Sequence, residues 1–203
     1  MAQNRLPFEI LRVPGPPAGD PRLKELIRWG SVFHEMGLAP SYGKGSHGNL
    51  SVRSPAGCLI TATQTFLGEL EESDFVEITG CDFSVSPPVV SVRGKGRPST
   101  DSLIHWSIYL WRPQTACILH AHDPLTLRYA EDLGFLQTVR PADAGSPELV
   151  DLIRPLAPED YFLVRDHGFV ASGATVFQAA QVALSAHKRA RGFHSKAAVQ
   201  RGD

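Results

Sequence analysis

Residues 115–119 form a short, largely apolar run that ends in His120-Ala121-His122. The run predicts a buried strand over residues 115–122, in which alternate side chains point to the same face. His120 and His122 would then project together and can share one metal ion. The spacing therefore predicts a sheet with part of a metal site at the end of one strand.

A third histidine follows a second apolar segment. His167 comes after a predicted strand over residues 161–164 and directly precedes Gly168. Three neutral imidazoles that leave one coordination position open are typical of a catalytic zinc site, whereas structural zinc sites are closed. We therefore predict that His120, His122 and His167 bind a metal ion in a metal-dependent enzyme. The competing interpretation is three histidines that are packed in the core or solvated at the surface.

Composition argues against several other classes of protein. The 203 residues carry a formal net charge of -1 and no Lys/Arg-rich block, which argues against a nucleic-acid-binding protein. No apolar run approaches the roughly 20 residues that span a bilayer, so we expect no membrane association. The cysteines Cys58, Cys81 and Cys117 form no CxxC motif, and reduced thiols in a cytoplasmic protein are the expectation.

The predicted elements alternate irregularly between strands and helices. A first helix is predicted from Asp20 to Gly37, and a second is capped by Ser99 or Thr100 and ends before Pro113. Further helices are predicted over residues 124–133, over residues 147–156 and after Thr175, and strands over residues 50–53, 58–61, 75–78, 89–92, 115–122, 161–164 and 169–171. This order predicts an α/β domain with a mixed or antiparallel sheet and helices on its faces.

The domain boundaries follow from composition. Residues 1–19 are rich in proline and glycine and predict an extended N-terminal arm. The domain itself is predicted over residues 20–191. Residues 192–203 are predicted to form a polar, frayed tail.

Asp101 and two glycine-rich or hydroxyl-rich segments are the remaining candidates for chemistry. Asp101 lies in the first turn of the second predicted helix, where a carboxylate either stabilises the helix dipole or acts as a general base beside the metal. Residues 45–49 can present backbone N–H groups to an anion, and Ser99-Thr100 lie where a helix N-terminus favours phosphate. An ordinary turn and an ordinary helix cap are the alternatives.

Several short segments occur in an order that resembles one known family. They are residues 48–53 (GNLSVR), 59–63 (LITAT), 97–101 (RPSTD) with His105 and Tyr109, 112–113 (RP), 120–122 (HAH) and 166–173 (DHGFVASG). Each segment is weak evidence alone, but their joint order is specific and covers the chain from about Leu23 to Arg189. Together they resemble the class II aldolase/adducin family, with its L-fuculose-phosphate aldolases and L-ribulose-5-phosphate 4-epimerases.

The resemblance implies a fold and a chemistry. The fold is an α/β/α layered domain with a mostly antiparallel central sheet, commonly assembled as a homotetramer. Zinc or another divalent ion is held by the residues that match His120, His122 and His167. The implied activity is that of a zinc-dependent aldehyde-lyase, which cleaves a small phosphorylated ketose or hydroxy-keto compound through a metal-stabilised enediolate. Asp101 would be the acid/base, and the substrate phosphate would be bound by Gly48, Asn49, Thr63, Gln64, Ser99 and Thr100.

The chain departs from the family pattern at three positions. The aldolases carry glutamate where this chain has Asp101, whereas the 4-epimerases carry aspartate. Gln64 stands where the phosphate loop usually has glycine, and Asp123 stands where a small hydroxyl residue is common. The resemblance therefore leaves a sugar-phosphate 4-epimerase, a decarboxylase and a non-catalytic, adducin-like interaction module as alternative functions.

Overall fold

A computed structural model of the chain describes residues 6–201. Its strands are β1 (Glu9–Arg12), β2 (Ser41–Tyr42), β3 (Gly45–Ser46), β4 (Asn49–Ser54), β5 (Gly57–Thr61), β6 (Phe75–Asp82), β7 (Val89–Arg93), β8 (Cys117–Ala121), β9 (Tyr161–Val164) and β10 (Gly168–Gly173). Its helices are α1 (Leu23–Glu35), α2 (Ser102–Trp111), α3 (Pro124–Arg128), α4 (Pro147–Ile153) and α5 (Val176–Arg201).

Eight of the strands form one sheet in the order β1-β7-β6-β5-β4-β8-β10-β9. Every pairing in this sheet is antiparallel except that of β1 with β7. Helices α1 and α5 pack on one face of the sheet, against side chains such as Leu50 and Leu119. Helices α2 and α4 pack on the other face, against side chains such as Ile60 and Ile118. The predicted α/β/α layered domain with a mostly antiparallel sheet is confirmed.

Side chains along β8 point alternately into the hydrophobic clusters on the two faces of the sheet. Cys117, Leu119 and Ala121 belong to the cluster under α1 and α5, while Ile118 belongs to the cluster under α2 and α4. His120 shares the face of Ile118 and therefore points toward α2. Because the strand is buried along its whole length, the polar end of this face lies inside the protein.

Several predicted boundaries are wrong by a few residues. The strand predicted over residues 115–122 spans Cys117–Ala121. The helix predicted over residues 124–133 ends at Arg128, and the one over residues 147–156 passes into a 3-10 turn after Ile153, where Pro155 removes a backbone donor. The predicted Ser99 or Thr100 cap is also wrong, because Asp101 occupies the N-cap position and Ser99 Oγ accepts from the Asp101 N–H at 3.3 Å.

The two ends of the domain differ more from the prediction. Within the arm predicted over residues 1–19, β1 joins the sheet edge beside β7, and the Arg12 guanidinium donates to two carbonyls of the loop after β7 at 2.8 Å. The polar tail predicted over residues 192–203 continues α5 to Arg201 instead. Alanine, lysine and arginine favour the helix there, and His194 Nδ1 lies 2.7 Å from the Tyr129 hydroxyl. Residues 1–5 and 202–203 lie outside the described residues.

One arginine fixes the position of the end of α2 relative to the start of β8. The Arg53 guanidinium on β4 donates 2.8 Å hydrogen bonds to the carbonyls of Tyr109, Arg112 and Thr115. These carbonyls belong to the end of α2 and the turn that leads into β8. Residues 112–116 are therefore fastened to β4 at several points.

Within residues 6–201, none of the helices combines the length and hydropathy that crossing a bilayer requires. The longest helix, α5, carries a mixture of alanines and charged residues.

Candidate metal centre

Three histidines from two neighbouring strands converge at one end of the sheet. His120 lies in β8, paired on its two sides with Asn49 of β4 and Val170 of β10. His122 lies just beyond the end of β8, and His167 lies in the turn between β9 and β10. Their potential ligand atoms all lie within 4.8 Å of one another. The structure thus brings together the three residues that were predicted as metal ligands.

The arrangement of nitrogen atoms fits a divalent metal ion. His120 Nε2 and His122 Nε2 are 3.1 Å apart. Zinc–nitrogen bonds of about 2.0–2.1 Å in a tetrahedral site separate ligand nitrogens by about 3.3 Å. His167 Nδ1 is buried and has no hydrogen-bond partner among the described residues. A bound cation would give these lone pairs a partner.

Burial keeps two of these imidazoles neutral, which is the protonation state that a metal requires. Burial lowers the pKa of His120 to about 4, although Asp101 opposes the shift. Burial, followed by the neighbouring His120 and His167, lowers the pKa of His122 to about 2. Both rings are therefore uncharged at neutral pH and can donate their lone pairs.

The backbone around the histidines is shaped to hold the rings. His120 Nδ1 is 2.7 Å from the Phe169 carbonyl, which directs Nε2 toward the centre of the cluster. Gly168 passes so close to the rings that a Cβ there would come within 2.9 Å of His120 Cε1 and His122 Cδ2. Gly48 approaches in the same way, with φ at +109° and its Cβ position 2.6 Å from the His120 carbonyl. Both glycines are therefore needed for close packing at the site.

Asp101 lies beside the histidines at the start of α2. Its Oδ2 accepts a 2.9 Å hydrogen bond from Asn49 Nδ2 and lies 3.5 Å from His120 Nε2. Burial alone would raise the pKa of Asp101. The imidazoles of His167 and His120, with the Asn49 amide, outweigh burial and lower that pKa to about 2. Asp101 is thus an ionised carboxylate whose other oxygen, Oδ1, has no hydrogen-bond partner among the described residues.

A second layer of polar groups lies beneath Asp101. Ser51 Oγ is 2.7 Å from His105 Nδ1 and 2.8 Å from the Tyr109 hydroxyl. Asp101, His105 and Tyr109 follow at intervals of four residues and share one face of α2. Asn49 and Ser51, two residues apart on β4, face them. The helix carrying Asp101 is therefore joined to the sheet by successive side-chain hydrogen bonds.

Three segments predicted to bind phosphate lie side by side near this centre. Ser46 N donates to Thr65 O at 2.9 Å, and Thr63 N donates to Arg97 O at 2.8 Å. An isolated bridge also pairs Ala62 with Pro98. These contacts join the loop before β4 to the loop after β5 and to the segment before α2. Of the predicted binding residues, Asn49 and Ser99 are buried, Gly48, Thr63 and Thr100 are half-buried, and Gln64 is exposed.

Gln64 has a left-handed backbone, with φ at 66°. This conformation favours glycine, and a non-glycine residue adopts it at some cost. The backbone of the loop thus retains a conformation that suits glycine, while the side chain of Gln64 is added at its exposed edge.

Four side chains near the site were not among the predicted ligands or binding residues. His47, in the loop before β4, stacks on His122 with ring centroids 4.8 Å apart, and Tyr42 lies 4.9 Å from His47. Oδ2 of Asp123, next to His122, lies 2.8 Å from Nδ1 of His187 in α5. Only the unusual Asp123 after the HxH motif signalled this contact in the sequence.

Known proteins resemble this chain in sequence. The family model described as Class II Aldolase and Adducin N-terminal domain matches residues 24–193. An L-fuculose phosphate aldolase from Methanococcus vannielii is 26% identical over 171 residues, which cover 77% of this chain and 87% of that protein. A methylthioribulose-1-phosphate dehydratase from Gluconobacter oxydans is 31% identical over 100 residues, which cover 49% of this chain and 43% of that protein.

Solved structures resemble the fold. The L-fuculose-1-phosphate aldolase from Thermus thermophilus superposes with a TM-score of 0.70 at 18% identity, covering 89% of this chain and 96% of that one. A further L-fuculose 1-phosphate aldolase superposes with a TM-score of 0.69 at 23% identity. With the family model matching most of the domain, the chain belongs to the class II aldolase and adducin family.

Proposed function

We propose that this protein is a metal-dependent lyase of the class II aldolase type that cleaves a small phosphorylated ketose. The observation that carries the proposal is the geometry of four side chains. The ligand atoms of His120, His122 and His167 lie within 4.8 Å of one another, and an ionised carboxylate, Asp101, lies 3.5 Å from one of them. A structural role alone does not require converging neutral imidazoles beside a buried carboxylate.

His120, His122 and His167 would hold a divalent ion, with zinc as the ion that their nitrogen donors favour. Bound there, the ion supplies a Lewis acid that stabilises negative charge on the hydroxyl and carbonyl oxygens of a ketose. The chain itself orients the three ligands through strands β8 and β10 and through the Phe169 carbonyl, which fixes the His120 ring.

Asp101 is the residue that we assign to proton transfer. Its Oδ2 is held by Asn49, while Oδ1 is free to accept a proton from a substrate hydroxyl. Breaking a bond between carbons in a retro-aldol reaction requires removal of this hydroxyl proton as the new carbonyl forms. The same carboxyl group can then return the proton to the product carbanion, which completes the proton transfer.

The substrate phosphate is assigned to the adjoining loops. Gly48 can offer its backbone N–H group and Thr63 and Gln64 their side chains, and Ser99 and Thr100 precede the N-terminus of α2. Binding energy from a phosphate remote from the reacting carbons would position them against the metal and Asp101. Gln64 places an amide side chain at this anchor, where the family pattern has glycine.

A dehydratase acting on a ketose phosphate is the second candidate. It is supported by the relatives of about 28–33% identity that are methylthioribulose-1-phosphate dehydratases. The two reactions differ in the proton that is removed and in the bond that breaks. The lyase removes the proton of the hydroxyl β to the carbonyl and breaks a carbon–carbon bond, whereas the dehydratase removes a proton from the carbon next to the carbonyl and breaks a carbon–oxygen bond, so that the hydroxyl leaves as water.

We also propose a homotetramer. Large apolar side chains remain exposed on the described part of the chain, among them Leu136, Val139 and Phe177. A subunit interface would cover such groups. Light scattering coupled to size-exclusion chromatography measures the assembly directly, and a monomer at micromolar concentration would contradict this part of the proposal.

The test of function is a substrate panel on zinc-loaded protein. Ketose 1-phosphates and 5-phosphates are incubated with the enzyme, and the products are resolved by NMR and mass spectrometry. Release of dihydroxyacetone phosphate or glycolaldehyde phosphate supports the lyase, loss of water supports the dehydratase, and a stereoisomer of unchanged mass supports an epimerase. Absence of all three reactions with every phosphorylated ketose would contradict the proposal.

The metal assignment has its own test. His120→Ala is compared with His34→Ala, which removes an exposed histidine of α1. After exposure to excess zinc and desalting, we expect wild type and His34→Ala to retain about one ion per chain and His120→Ala to retain little. Equal zinc contents in the two variants would contradict the proposed metal centre.

A further inference from the structure

His122 occupies an unusual position among the three histidines. The last residue of β8 paired in the sheet is Ala121, opposite Phe169 of β10, so His122 lies one residue past the ladder. His120, by contrast, is paired on its two sides, and its Nδ1 contacts the Phe169 carbonyl. The sheet therefore fixes His120 directly but leaves the chain after Ala121 to be fixed by other contacts.

Asp123 provides those contacts on the other side of His122. Its Oδ1 accepts a 2.9 Å hydrogen bond from the Leu125 N–H and so caps α3, and its Oδ2 lies 2.8 Å from His187 Nδ1. Asp123 is 1% exposed and His187 is 5% exposed. Both carboxylate oxygens thus have hydrogen-bond partners in a site that excludes water. A hydrogen bond to a buried carboxylate is strong, and its loss lowers stability because the carboxylate is left unpaired.

The partner of Asp123 belongs to a rigid element. His187 lies in α5, which packs against the sheet through Ala179, Ala180 and Ala183 in the same core as Leu119 and Ala121. The contact therefore ties the residue after His122 to a helix that is itself docked on β8. His122 is held between two anchored neighbours, Ala121 in the sheet and Asp123 on the helix.

We infer that the buried Asp123–His187 pair is a positioning device for the metal ligand His122. Neither residue touches the proposed metal or substrate; both act through the backbone of His122. The inference rests on the proposed metal centre, and it extends that centre to α5, 64 residues away from Asp123 in sequence. Partners that orient ligands in this way typically change metal affinity by roughly 10–100-fold when they are removed.

The chain offers a matched control in the same two helices. Tyr129, just after α3, and His194 of α5 form a contact of the same kind, with the Tyr129 hydroxyl 2.7 Å from His194 Nδ1. His194 lies one heptad after His187 and also joins the α3 region to α5, but its partner is not adjacent to a metal ligand. Loss of either pair weakens the α3–α5 contact, and only loss of the first should alter the metal centre.

The experiment compares wild type, His187→Ala and His194→Ala by titration with Co²⁺. Dissociation constants are measured by competition with a chelator, and the visible absorption of the cobalt-loaded proteins reports coordination geometry. We expect His187→Ala to bind cobalt roughly 10–100-fold more weakly with an altered spectrum, His187→Gln to recover part of the affinity, and His194→Ala to match wild type within about twofold.

Two further measurements keep the outcome interpretable. Urea unfolding measures the stability of each variant. If His187→Ala does not fold, the double variant Asp123→Ser/His187→Ala is titrated in its place, because it lacks the unpaired buried carboxylate. An affinity and spectrum equal to wild type, or equal losses in the His187 and His194 variants, would overturn the inference while the metal centre stands. A wild-type protein that binds no cobalt would overturn the metal centre and this inference with it.

Discussion

Asn49 Nδ2 donates a 2.9 Å hydrogen bond to Asp101 Oδ2, and both residues are buried. The bond joins β4 to the start of α2 and fixes the oxygen that lies 3.5 Å from His120 Nε2, while Oδ1 is buried without a hydrogen-bond partner among the described residues. It also helps to lower the pKa of Asp101. Through this bond, a residue next to the loops proposed to bind phosphate holds the proposed acid/base in place and contributes to its low pKa.

Replacing Asn49 by alanine should lower the rate at neutral pH. The variant loses the hydrogen bond that holds Asp101 Oδ2, while the pKa of Asp101 starts from about 2 and the carboxylate stays ionised at pH 7. The loss of rate therefore reports the orientation of the carboxylate. We expect kcat to fall about 10–100-fold, because a hydrogen bond to a charged group contributes about 1.5–3 kcal/mol, with zinc content unchanged. A kcat equal to that of wild type would show that Asn49 has no effect on the base.

Replacing Asp101 by asparagine should remove most activity and leave the metal in place. Asparagine keeps the size of the side chain but cannot accept the proton, and loss of a general base costs about 10²–10⁴-fold in rate. The measurement is kcat on the substrate identified by the panel, together with zinc content. Asp82→Asn, at an exposed position on β6, is the control and should be indistinguishable from wild type. Activity above a tenth of wild type in Asp101→Asn would exclude the assigned role.

Adding one carbon at Gly168 should disrupt the site. A Cβ there would lie 2.5 Å from the Ala121 carbonyl and 2.9 Å from atoms of both His120 and His122. We expect Gly168→Ala to cost about 1–3 kcal/mol in unfolding free energy, as overpacking does, and to weaken zinc binding. Gly43→Ala is the control because no atom lies within 4 Å of its Cβ position. Thermal unfolding and zinc titration of the two variants measure the difference, and equal behaviour would contradict the packing argument.

Stability should fall in acid because of His105. Burial lowers the pKa of His105 to about 3, against an ordinary value near 6.5 in the unfolded chain. Between these values the unfolded state binds the proton and the folded state does not, so stability is lost as pH falls from about 6.5 toward 3. Each pH unit in this window costs about 1.4 kcal/mol for one such group.

The variant His105→Gln isolates this contribution. Glutamine does not titrate, so the unfolding free energy of the variant should depend less steeply on pH than that of wild type. Urea unfolding at several pH values between 7.5 and 4.5 gives the two slopes. Identical slopes would show that His105 is protonated equally in the folded and unfolded states. Absolute stability is expected to be lower in the variant because Ser51 loses its imidazole partner.

The sheet and the proposed metal ligands could be predicted from local patterns. Alternation along β8 placed His120 and Leu119 on opposite faces, and the structure agrees. The convergence of His167 was predicted from its place after a strand, yet its position depends on the turn at Asp166, where φ is 59°. Non-glycine residues rarely adopt a left-handed backbone. The sequence therefore gives little indication that Asp166 does so.

Contacts between distant segments could not be predicted. Asp123 and His187 are 64 residues apart, and nothing in the periodicity of α5 distinguishes a histidine that contacts a carboxylate from one that is merely packed. The N-terminal arm joins the sheet as a parallel edge strand, although its prolines and glycines predict no strand. In each case the tertiary partner, rather than the local sequence, decides the conformation.

The hydrogen bonds from Arg53 to three carbonyls limit where residues can be inserted into the chain. The turn between α2 and β8 is fastened at Tyr109, Arg112 and Thr115, so an inserted residue there would break at least one of these bonds and displace Asp101 relative to His120. The segment before α4 is fastened at its far end, where Gly145 packs against the Thr100 backbone and Ser146 caps α4, whereas Val139 is 82% exposed. Diversification by loop insertion, natural or engineered, is therefore expected near residues 139–141 and excluded from residues 112–116.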